Sequence, residues 1–173
     1  MKNIIFVIVT MFGFVTAYAG SPFNITDGSM SFLKQQAEAN LVIDWSKTMY
    51  GDNKQLKDAF SETEYQNYTS KSEKVFVSSF NKKSKKLKIS DSNDAKYEIK
   101  IIINKIDYFY SIMSLVPGHK HTIYADVIIT SKETNSIICK LEASRLKGDR
   151  DFIKEDSFYK CFESFAEELA SLK

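Results

Sequence analysis

Histidine and cysteine are scarce, with two of each in 173 residues. A nucleophilic enzyme needs a base within reach of its Ser, Thr or Cys, and the only imidazoles are those of His119 and His121. No G-x-S-x-G, C-x-x-C or glycine-rich phosphate loop occurs. His119-Lys120-His121 puts both rings on one side of an extended segment, but a closed zinc site usually takes four ligands and no third is evident. The sequence therefore assigns no catalytic, cofactor or metal residue. The formal net charge is only +2, which gives no electrostatic case for nucleic acid or acidic ligands. Internal repeats, low-complexity blocks and signs of a second domain are missing too.

Aromatic residues are plentiful, which argues against disorder over most of the chain. Residues 1–19 read as a secretory signal peptide: Lys2, an apolar run from Ile4 to Val15, then the small-x-small pattern Ala17-Tyr18-Ala19. The run is shorter than the roughly 20 residues a spanning helix needs, so no stable membrane span is expected after cleavage. No cysteine near Gly20 offers a lipid attachment site. The expected location is the periplasm or the extracellular space. An oxidising compartment makes a Cys139–Cys161 disulfide one reading. Two small buried hydrophobes is the other.

The segment YEIKIIINKIDYF, residues 97–109, organises the rest. Tyr97, Ile99, Ile101 and Ile103 alternate with Glu98, Lys100, Ile102 and Asn104, the pattern of a strand with one dry face. Ile106 and Tyr108 then carry the apolar side, so a bulge near Asn104–Lys105 is expected. ANLVIDW (39–45) predicts an earlier strand, Leu87 and Ile89 a brief one, and residues 122–146 an antiparallel hairpin broken at Lys132-Glu133-Thr134-Asn135. Ser61 and Glu64 have capping-box spacing before a helix striped by Tyr65, Tyr68, Ser72, Val75, Phe76 and Phe80. Lys82, Lys83, Lys85 and Lys86 at its end read either as a polyanion patch or as cations at the negative end of the helix dipole. A last helix carries Phe158, Phe162, Phe165, Leu169 and Leu172, with Asp156 or Ser157 as its cap.

These elements predict one α+β domain over residues 39–173, a mixed or antiparallel sheet of about four strands packed by two main helices. Residues 20–38 read as a flexible lead-in. The run AKYEIKIIINKI, then YADVIITSKETNSIICKLEA, then a closing amphipathic helix, resembles a group of bacterial envelope proteins. The group includes the TolB amino-terminal domain, LpoB and CsgG. Its Ala-Asp-Tyr and Asp-x-x-Thr-Gly motifs have Ala95-Lys96-Tyr97 and Lys132-Glu133-Thr134-Asn135 as counterparts here. The resemblance implies helices on a sheet and a role in protein contacts, and contributes no catalytic residue.

The functional expectation is a non-catalytic domain binding an envelope protein or a second copy of itself. One alternative is a small hydrolase using Asp44, Asp107 or Asp126, which lie on or near strands. Another is a carbohydrate-binding accessory with Trp45 and Tyr124 as stacking platforms. Ile112, Met113, Leu115 and Val116 are more apolar than a solvated connection requires. They either cap the core or form an exposed contact site.

Overall fold

A computed structural model describes residues 21–112 and 117–172 of the protein. The leader assigned to residues 1–19 lies outside them. The described chain runs β1 (Phe23–Gly28), a short 3-10 helix (Met30–Lys34), β2 (Ala37–Asp44), β3 (Met49–Tyr50), β4 (Lys54–Gln55), α1 (Leu56–Ala59), α2 (Glu62–Lys83), β5 (Leu87–Ile89), β6 (Tyr97–Ser111), β7 (Gly118–Ser131), β8 (Ser136–Lys147) and α3 (Lys154–Ser171).

The expected sheet of about four strands is too small. The described residues form one eight-stranded mixed sheet, ordered β1-β8-β7-β6-β2-β5, with β3 on β6 and β4 on β3. Strands β6, β7, β8 and β1 pair antiparallel, whereas β2 lies parallel to both β6 and β5. The unexpected strands are short or lie at an edge. β3 and β4 have two residues each, too few to show any periodicity, and β1 buries only Phe23. Of the expected lead-in, residues 21–38 are accordingly an ordered part of the fold. β1 pairs with β8, and the 3-10 helix buries Met30, Phe32 and Leu33.

The long strands follow from their side chains. β-branched isoleucines fit a pleated, half-buried surface, and Ile99, Ile101, Ile103, Val127 and Ile129 are fully buried on one face. The register of β6 against β7 slips between Ile103 and Lys105, the bulge that restores Ile106 to that face. At the β7–β8 turn Asn135 takes a positive φ of 53°, a conformation that asparagine tolerates better than most residues.

Both long helices cover the same sheet face. Helix α2 starts as its spacing predicts: the Ser61 side chain accepts from the Glu64 N–H while the Glu64 carboxylate accepts from the Ser61 N–H. Its stripe buries Ser72, Phe76 and Phe80. Helix α3 buries Phe158, Phe162, Phe165 and Leu169, each contributing about 1.5–3 kcal/mol by removal from water. The Phe76 and Phe165 rings meet edge to face at 5.4 Å, and Phe165 also touches Phe23 of β1 at 5.7 Å. The start of α3 differs from expectation. Its N-cap is Ile153, with no side-chain cap, because Ser157 is drawn into the first turn by a partner on the sheet.

Candidate functional site

That partner is His121. β7 carries His119 and His121 on the helix-covered side, opposite Tyr110 and Tyr108 of β6. His121 is buried, with Nδ1 2.8 Å from Ser157 Oγ and Nε2 3.1 Å from the Tyr50 hydroxyl. Ser157 donates its own proton to the Lys154 carbonyl at 2.8 Å. Its oxygen must therefore accept from His121 Nδ1–H, which leaves Nε2 to accept from Tyr50. Burial, then the positive charge of Lys154, then His119, push the His121 pKa down to about 3. The imidazole is neutral and satisfied at both nitrogens.

This Ser–His pair is not built for acyl transfer. Ser157 is completely buried, its proton is committed to a backbone carbonyl, and so weak a base takes up no proton near neutrality. The network instead fixes where α3 begins. Around it, Tyr50, Phe60 and Tyr108 surround the Lys154 ammonium at 5.6, 5.5 and 4.8 Å from their ring centres, a cation–π cage filled by the protein's own side chain. His119 is tied separately, its Nδ1 2.6 Å from the Tyr108 hydroxyl. Among the described residues no three His, Cys, Asp or Glu side chains group as metal ligands would.

The strand carboxylates do not converge. Asp44 accepts from the Ser46 hydroxyl and N–H and faces Lys100. Asp107 pairs with Lys105 at 2.9 Å, and Asp126 accepts from Asn104 at 2.8 Å. Asp44 and Asp126 stand on either side of Ile102, two strands apart, roughly 10 Å by strand spacing. Trp45 is no open platform, since it packs on Phe162 at 5.3 Å and its Nε1–H donates to Glu73.

The disulfide reading is corrected: both cysteines are free and buried. Cys139 lies opposite Ile129 of β7, its thiol against the Met30 sulfur at 3.5 Å. Cys161 donates to the His121 carbonyl at 2.8 Å and accepts from the Gly148 N–H. The two thiols thus sit over positions 121 and 129 of one strand, about 26 Å apart along an extended chain. A bridge needs Cα atoms within roughly 7 Å.

The most exposed apolar side chains gather at one end of the sheet. Tyr110 and Ser111 of β6 lie opposite His119 and Gly118 of β7. The segment before α3 completes a third chain there: His119 and Asp151 exchange backbone hydrogen bonds of 2.7 and 3.0 Å. Gly118 permits that approach, because a Cβ there would lie 2.7 Å from the Asp151 carbonyl oxygen. Phe109, Tyr110, Ile112, Phe152 and Ile153 are all exposed around this junction, Ile112 at 75% and Phe152 at 74%. Of the apolar connection singled out in the sequence, Ile112 is described; Met113, Leu115 and Val116 lie outside the described residues. Phe109, Tyr110, Phe152 and Ile153 were not anticipated, because an apolar residue in a strand or before a helix reads as core until its neighbours are known.

No family model matches the sequence, and no curated protein matches it. Among solved structures, the chain is similar to dodecameric PelC from Paraburkholderia phytofirmans, with a TM-score of 0.46 and 9% identity over 84% of this chain and 96% of that one. It is similar to protein XCC0632 from Xanthomonas campestris, with a TM-score of 0.46 and 11% identity over 79% of this chain and 82% of the other. It is also similar to a neuraminyllactose-binding hemagglutinin homolog from Helicobacter pylori, with a TM-score of 0.40 and 11% identity over 76% and 80%. At these scores the likenesses carry no functional inference.

Proposed function

We propose that the protein is a non-catalytic binding module of the bacterial cell envelope, exported by its amino-terminal leader. It engages a protein partner through the apolar end of the β6–β7 hairpin and the segment preceding α3. The observation that carries this reading is the gathering of Phe109, Tyr110, Ile112, Phe152 and Ile153, exposed around a single backbone junction. Apolar side chains left exposed together at one end of a sheet usually mark a contact site. Aromatic side chains dominate such contacts because they bury much area at little entropic cost. Among the described residues no helix is long and apolar enough to cross a membrane. The buried Ser157–His121 pair is closed and serves the helix start.

The test is the double variant Ile112→Ser/Phe152→Ser. Partner cross-linking in intact cells and sedimentation of the purified protein should both show weaker association, with a melting temperature within about 3 °C of the parent, since surface changes seldom exceed 0.5 kcal/mol. Unchanged association with a large fall in melting temperature would place these side chains in the core.

A further inference from the structure

A second surface, on the far side of the sheet from the hairpin tip, has the geometry of a peptide groove. We infer that the free edge of β2 accepts an extended peptide as an added strand. β5 pairs with β2 only over Ala37–Ala39. It ends at Ile89, and the chain turns away, held by Asn40 Nδ2 donating to the Ser90 and Ser92 carbonyls at 2.9 and 3.0 Å. β2 continues to Asp44, so beyond Ala39 it has a strand neighbour only on the β6 side among the described residues.

The backbone groups on that edge are identifiable. The Ala39 carbonyl accepts from the Ser90 N–H on the β5 side. Backbone groups alternate sides with period two, so Leu41 and Ile43 direct their N–H and C=O groups to the same side. They face a cleft of about 700 Å³ walled by Val77 and Ser78 of α2 and closed at one end by Ser90 and Asp91. The open stretch is about 13 Å long. It is flanked by a helix and stopped at one end, which leaves room for a single strand and little for another sheet. Such an edge repeats donors and acceptors at a spacing that only an extended chain matches.

The occupant is defined by the walls. It runs parallel to β2, in the line β5 leaves. Side chains opposite Leu41 and Ile43 fall on the α2 side against Val77, so alternate positions are apolar. The cleft carries the carboxylates of Glu73 and Asp91 against the single amine of Lys74, so the flanking positions are basic. This surface is separate from the hairpin tip, and the inference holds or fails without it.

The probe is acetyl-Lys-Val-Thr-Ile-Lys-amide, titrated into the 15N-labelled chain from Gly20, which contains every described element. Amide shifts should concentrate at Leu41, Ile43, Val77 and Ile89. In the parallel register the N–H of the central threonine bonds the edge, and that of the isoleucine points away. N-methylation of the threonine should weaken binding at least about tenfold, and of the isoleucine less than about threefold. Asp91→Lys, a change at an exposed side chain, should weaken it at least about threefold. Equal effects of the two methylations would overturn the inference, as would shifts elsewhere or no binding at about 2 mM peptide. Shifts at Leu41 and Ile43 that follow protein concentration alone would overturn it in favour of a second copy.

Discussion

The 2.8 Å hydrogen bond between His121 Nδ1 and Ser157 Oγ joins the middle of the sheet to the first turn of α3. Both groups are buried, so neither can turn to water if the other is lost. The bond sets the start of α3, and with it the position of Lys154 among its three rings and of Phe152 and Ile153 at the surface.

Acid should loosen this joint. The folded-state pKa of His121 lies near 3, below the roughly 6.5 of an exposed imidazole. Between those values the unfolded chain binds a proton that the folded one refuses. The stability is therefore fully present above about pH 6.5 and is lost as pH falls toward 3, about 2 kcal/mol of it by pH 5. Urea unfolding at pH 7 and pH 5 checks this. His121→Gln should flatten the difference whatever its own stability, since the lowered carboxylates of Asp44 and Asp151 lose protons at lower pH still. An unchanged slope in the variant would assign the acid sensitivity elsewhere.

Both thiols should stay reduced and inert in the native protein. Burial pushes Cys139 up to about 11 and Cys161 up to about 12, and only the thiolate reacts. Iodoacetamide at pH 8 should label neither cysteine before denaturation and both after. A mass increase of about 2 Da on reduction would reveal a bridge and contradict the separation along β7.

Gly28 should resist any side chain. Its φ is +74°, and a Cβ would lie 2.0 Å from the Ile138 carbonyl oxygen. Gly28→Ala should cost about 2 kcal/mol or more and should speed amide exchange over Phe23–Gly28, as β1 peels from β8. Parent-like stability would mean that β1 adds little to the fold.

Ser61→Ala should cost about 1 kcal/mol, since it removes an acceptor for the Glu64 N–H and a partner for the Glu64 carboxylate. The loss should be general rather than local, measurable as a lower urea midpoint with an unchanged m-value. A neutral substitution would show that packing on α3 alone holds the start of α2.

What the sequence determined by itself was local. The period-two runs of β6, β7 and β8, the bulge at Asn104, the capping box and the apolar stripes of both long helices depend on neighbours within a few residues. Each is therefore written in the order of side chains. The tertiary structure decided the rest. β1 and β3 exist because β8 and β6 offer them backbone partners, and β4 because β3 does, and six residues or fewer cannot signal a partner supplied from elsewhere. The pairing of His121 with Tyr50 and Ser157 spans 71 and 36 residues, so no spacing rule could announce it. The cysteines look equivalent in the sequence, each beside an apolar stripe. Only the register of β7 and β8 beneath α3 sets them at opposite ends of one strand. The exposed apolar end and the free edge of β2 are likewise places where a neighbouring element stops, and where an element stops against another is a property of the packing.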